Sequence, residues 1–228
     1  MRRFFQLALW LFLIAGTGSA GEVLDRVVAI VNNTPIFQSD WELALRSEAL
    51  LDGRNPETLT TTEQREVFDR LVDQQLLREQ MRGYMITTVT EEEVDGRLKE
   101  VRQQIDAGGT DAQWHQLLAK ADVSEQEIKS RIRTQLEVLR FLDSRFRPSV
   151  RVDYRAIQLY YREQFLPELH KQGGQEIPLS QVAPKIREIL TQQRISEQVA
   201  AWLQTLREQA DIRIPSAPKQ ELQAVEKK

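Results

Sequence analysis

Val27-Val28-Ala29-Ile30-Val31, followed by Asn32-Asn33-Thr34-Pro35 and the apolar pair Ile36-Phe37, is the stretch on which the reading of the fold turns. The first five residues are short, apolar and mostly β-branched, which predicts a strand; Asn32 to Pro35 predicts a turn, and Ile36-Phe37 a strand stub. A lone strand leaves its backbone hydrogen bonds unmet, so a partner is needed elsewhere in the chain. The alternating Ile212-Arg213-Ile214 near the far end supplies one. The expectation is therefore a small β element that joins the two ends of an otherwise helical chain.

Between those ends the helix signals dominate. Ser39 with Glu42, Thr60 with Glu63, Thr90 with Glu93 and Ser124 with Glu127 each place a hydroxyl three residues before a carboxylate, the spacing of a capping box. The first predicts a helix running to about Leu51. After Thr60, the stripe Val67, Phe68, Leu71, Val72, Leu76 and Leu77 predicts a helix at the centre of the core, ending near Gly83. After Thr90, Val94, Leu98, Val101 and Ile105 form one seam, stopped by Gly108-Gly109. A short helix then carries Trp114, Leu117 and Leu118. After Ser124, Ile128, Ile132, Leu136, Leu139 and Leu142 predict one buried face before Pro148. Residues 151–179 read as a connector, with a helix through Ile157, Tyr160, Tyr161 and Phe165 ending at Pro167 and a loop at Gly173-Gly174. A last helix starting near Ser180 to Val182, with Pro184 in its first turn, carries Ile186, Ile189, Leu190, Val199, Trp202, Leu203 and Leu206. Trp41 and Trp202 are assigned to the core.

Residues 1–20 have the three zones of a cleavable secretory signal: Arg2-Arg3, an apolar run from Leu7 to Ala15, and small residues ending at Gly18-Ser19-Ala20. No serine or threonine precedes the arginine pair, which favours the general secretory route over the twin-arginine route. The apolar run is too short to span a bilayer comfortably, and no later stretch reaches the roughly 18 apolar residues a membrane helix needs. Loss of residues 1–20 shifts the formal charge from −3 to about −5. An acidic balance with interspersed charges argues against a nucleic-acid partner. The tail 216–228, polar and containing Pro218, predicts disorder.

Little in the chain points to bond chemistry. There is no cysteine, hence no disulfide, thiolate nucleophile or thiolate metal site. His115 and His170 are 55 positions apart, and neither has a second histidine at helical metal-binding spacing. The ten glycines form no phosphate-binding loop. The acidic pairs fall on predicted solvated helix faces. No catalytic residue, metal or cofactor is assigned.

The run Asp25 to Ile36 with Ser39-Asp40 resembles the opening of periplasmic chaperones of the SurA type. The similarity continues through Phe68 to Leu77, through Val89 to Asp95, and into the helix before Pro148. Ile195 to Leu203 followed by Ile212-Arg213-Ile214 resembles the closing helix and strand of that family. The resemblance implies a mainly α chaperone module in which residues 21–150 are completed by 180–215, the C-terminal helix packing on the N-terminal helices. It further implies a periplasmic holdase for unfolded outer-membrane polypeptides that works without ATP or any cofactor.

Such chaperones insert parvulin prolyl isomerase domains between the two parts of the module. A parvulin domain needs on the order of a hundred residues to close a core, and 151–179 is too short to hold one. Gly173-Gly174 also runs into Gln175-Glu176-Ile177 and not into the family's Gly-Gly-Asp-Leu-Gly. No isomerase activity is therefore expected. A residual foldase, or an adaptor gripping one folded partner through its edge strand or as a homodimer with exchanged helices, are the other readings. Adaptable apolar side chains suit peptide binding, and two clusters offer them: Met81, Tyr84 and Met85, and Tyr160, Tyr161 and Phe165. Ordinary core packing is the competing account of each.

Overall fold

A computed structural model describes residues 25–84, 87–105 and 110–215. The signal segment, Gly108-Gly109, Met85 and the 216–228 tail lie outside the described residues. Strand β1 (Val27–Val31) pairs antiparallel with β2 (Thr34–Phe37) on one side and with β3 (Ile212–Arg213) on the other. The last pairing sets Ile30 opposite Arg213 and Val31 opposite Ile212, so the two ends of the chain do meet in one sheet. The turn is tighter than the sequence suggested: Val31 already faces Thr34 and Ile30 faces Pro35, leaving Asn32-Asn33 as a two-residue connection. Asn32 adopts the left-handed conformation, φ 53°, that asparagine tolerates better than most residues. Pro35 is accommodated because β2 is an edge strand, where its missing N–H leaves no ladder bond unmade. A bulge between Val27 and Ala29 breaks the alternation and turns both Val28 and Ala29 inward.

The helices follow as α1 (Gln38–Leu51), α2 (Thr61–Met81), α3 (Glu91–Ile105), α4 (Asp111–Ala121) and α5 (Glu125–Phe146). The boxes at Thr60, Thr90 and Ser124 form, with the Glu63, Glu93 and Glu127 carboxylates accepting the cap N–H at 2.7, 2.8 and 2.6 Å. A further box, Thr110 with Gln113, starts α4. The predicted Ser39 and Glu42 box does not form. The helix starts two residues earlier, Asp40 accepts the Phe37 N–H at 3.2 Å, and Ser39 instead gives its hydroxyl and N–H to Asp25. The tight hairpin delivers the chain to the helix sooner than a four-residue turn would.

In the connector, α6 (Tyr154–Tyr160), a π-helical turn (Tyr161–Phe165) and α7 (Leu166–Lys171) run on without a break. The helix passes Pro167 where an end was expected. Proline cannot donate to the fourth carbonyl before it, and the wider turn ahead of it makes room for the ring. The long α8 (Leu179–Gln209) closes the chain before β3. It begins early enough that Pro184 lies inside the helix, beyond the first turn.

Among the described residues there are three hydrophobic clusters in place of one core centred on α2. The first joins α1, α3, α4 and α5 around Trp114, Val94 and Ile128. The second lays the sheet on Phe68, Val72 and Leu76 of α2, with Leu206, Ala210 and Ile212 covering it from the far end of the chain. The third is built by Ile157 and Tyr161 against Ile186 at the start of α8. Over its 31 residues, about 46 Å of helix, α8 reaches from the third cluster to the second. Arg207 fastens its far end, donating to Asp73 at 2.6 Å and to the Asp69 carbonyl at 2.9 Å. Arg147 fastens the near half to the end of α5, through both Asp143 and Glu188.

Candidate peptide-binding groove

Apolar residues on α5 are too numerous for one face. Ile128 and Ile132 enter the first cluster. Further along, Phe141 is wholly buried while Leu139, expected inside, is 58 % exposed. Leu136, Leu139 and Leu142 step by three and so stay on one side of the helix. That side looks toward Ile195, Val199 and Leu203 of α8, which step by four. The two stripes face each other without closing, leaving a groove of about 910 Å³.

The rim is polar and fixed. Arg140 donates to the carbonyls of Thr87 and Thr88 at 3.0 and 2.7 Å and pairs with Glu93. Asp143 is held by Arg147 at 2.7 Å, and the hydrogen bonds of Arg147 keep the Glu188 carboxyl depressed to about 2. Gln192 and Ser196 supply uncharged donors and acceptors. Away from this lining, an aromatic cluster packs α5 against α8. Phe141 meets Tyr84 edge-on at 5.0 Å and Trp202 at 6.1 Å, and Phe146 meets Trp202 at 5.4 Å. Arg145 lies over the Trp202 ring at 4.6 Å and donates to the Tyr84 hydroxyl at 3.2 Å. The groove itself, apolar floor and polar rim, can hold an extended apolar segment through side-chain contacts while its backbone meets the rim.

The sequence-level candidates fall differently. Tyr84, 48 % exposed, joins the aromatic cluster through Phe141 and does not line the groove, and Met81 is half-buried at the end of α2. Tyr161 is 8 % exposed and donates its hydroxyl to the Ile177 carbonyl at 2.7 Å. Burial, with Glu176 close by, pushes its phenol up from the ordinary value. Phe165 stacks on it at 5.7 Å, and Tyr160 is half-buried against the same cluster. The connector aromatics thus pack on α8. Trp202, assigned to the core, is half-buried against Phe141 and Phe146; Trp41 is half-buried too, edge-on to Phe68 with its indole N–H on the Gln64 carbonyl.

The groove leucines lie on the stripe that helical spacing assigns to the core. The signal that could have separated them is the crowding of Leu136, Val138, Leu139, Phe141 and Leu142, which spans more than one helix face.

Among the described residues no helix is long and apolar enough to cross a membrane. Among curated proteins none matches the chain. The family described as the SurA-like N-terminal domain matches residues 2–142, well over half of the 228.

Proposed function

The chain belongs to the SurA-like N-terminal domain family, whose match supports a chaperone-like role, and from that premise we propose an ATP-independent periplasmic holdase for unfolded outer-membrane polypeptides. The observation that carries the reading is the unclosed apolar groove between α5 and α8. Client side chains enter it in competition with the client's own association. Burying one leucine-sized side chain contributes about 1.5–3 kcal/mol, and ordering a disordered chain offsets much of that, so affinity stays modest and release needs no fuel. We assign no prolyl isomerase role. Supporting this, residues 154–171 are spent on helix that packs against α8.

The test dilutes a urea-denatured outer-membrane barrel into buffer with or without residues 21–228 and follows light scattering. Suppression near equimolar protein, unchanged by ATP, is the expected result. Leu139→Glu should abolish it while shifting stability by only about 0.5 kcal/mol, because the side chain is exposed. Equal suppression by wild type and variant would remove the groove from the reading; no suppression by either would remove the holdase.

A further inference from the structure

A second concavity, of about 230 Å³, opens between α1, α2 and α5. Gln74, Gln75 and Arg78 of α2 line it together with Ser130, Arg131 and Thr134 of α5. Both sets follow the same step of one and then three residues, which puts three polar side chains of each helix on one surface. Arg131 is half-buried and also borders a neighbouring cavity beside Glu48 and Arg70. Glu48 is the acid nearest in effect to Arg131, yet it is held by Arg70, whose Nε donates at 3.1 Å and whose Nη2 makes a second, shorter contact. Among the described residues neither the Arg78 nor the Arg131 guanidinium makes a hydrogen bond or an ion pair, and both reach the surface. Two acids also line the pocket, but both are engaged as helix caps: Asp40 on the Phe37 N–H, and Glu127 on the Ser124 N–H and hydroxyl.

A half-buried arginine without a partner is costly, and its fork of donors matches a planar group with two oxygens. We propose that this pocket holds the terminal carboxylate of a client polypeptide, with Arg131 and Arg78 as its cationic partners. The Gln74 amide and the two hydroxyls serve the last peptide group, the Gln75 amide being given to Glu79. A carboxylate suits the site better than a phosphate, because a dianion would also face Asp40 and Glu127. The volume favours a chain end, since it is below the roughly 300–1,000 Å³ of pockets that enclose larger ligands. The proposal rests on the chaperone reading and adds to it a place where a polypeptide stops.

The experiment titrates residues 21–228 with an N-acetylated hexapeptide ending in a free carboxylate, with the same peptide amidated, and with inorganic phosphate as competitor. The free acid should bind about tenfold more tightly than the amide, the size of one charge-assisted contact, and phosphate should not displace it. Arg131→Met should abolish the difference and raise the melting temperature of the free protein, because an unpartnered cation is removed. Arg78→Gln, at an exposed position, should reduce the difference without disturbing the fold. Equal affinity for acid and amide, or binding of neither, overturns the proposal, and displacement by phosphate makes the pocket a general anion site. If Arg131→Met lowers the melting temperature and leaves the acid-to-amide ratio intact, the arginine is structural. A protein that suppresses aggregation of the barrel yet fails here loses only this pocket, not its holding activity.

Discussion

Asn32 does three things at once: it turns the hairpin at φ 53°, its side-chain oxygen accepts the Asp211 N–H at 3.1 Å, and its amide donates to Glu79. One side chain thereby ties the turn to the returning end of the chain and to α2. The capping carboxylates act over shorter range but titrate. Hydrogen bonds from Thr60, first through its backbone N–H, hold Glu63 at about 2, below its ordinary 4.5. Glu93 and Glu127 are lowered too, Glu93 chiefly by the Thr60-like backbone bond from Thr90 and Glu127 chiefly by the Ser124 hydroxyl. A depressed carboxylate adds stability that is fully present above its unfolded value and is lost as pH falls through the folded one. Melting temperature should therefore fall between about pH 4.5 and pH 2, and Glu63→Gln should flatten part of that slope. A melt series across that interval in which the variant and wild type run parallel would show that the cap contributes nothing.

At the scale of elements, a strand of two residues governs more than its length suggests. β3 covers the open edge of β1, and Ile212 packs on the sheet core. A chain ending at Pro215 should melt like the full chain. One ending at Ala210 should melt several degrees lower and self-associate, because β1 then presents unpaired backbone groups. Paired thermal melts and size-exclusion profiles would check this, and identical behaviour of the two truncations would mean that β3 is dispensable. The connector teaches a related point about elements: Pro167 looks like a stop, but a proline just past a π turn lets the helix continue.

For the whole molecule, α8 is the member that makes three clusters one structure. Residues 21–150 alone keep every side chain of the first cluster, including Trp114, whose indole donates to Glu125 at 2.8 Å. They lose Leu206, Ala210 and Ile212 from the sheet cluster and Trp202 from beside Phe141. This fragment should retain most of its helical circular dichroism, bind a hydrophobic dye and aggregate at concentrations where residues 21–215 do not. A fragment that stays monomeric and dye-free would mean that α8 is an accessory and not a part of the fold.

How much of this was legible follows from what each level of structure depends on. Capping at Thr60, Thr90 and Ser124, the seam from Val94 to Ile105, and the pairing of the first strand with the last depend on local spacing and on the backbone's need for partners, and all three are written in the sequence, though the register of Val31 with Ile212 is not. The helical class of the fold follows from them. Whether an apolar side chain is core or surface depends on what stands opposite, and periodicity carries no information about that. Leu139 and Phe141 differ by two positions and by one helix face, and only the placement of α8 left one in the groove and buried the other against Trp202. The same holds for Tyr161, which the sequence offers as a binding residue and which Ile186 encloses. It holds again for Arg131, which is left without an acid partner because Arg70 takes Glu48.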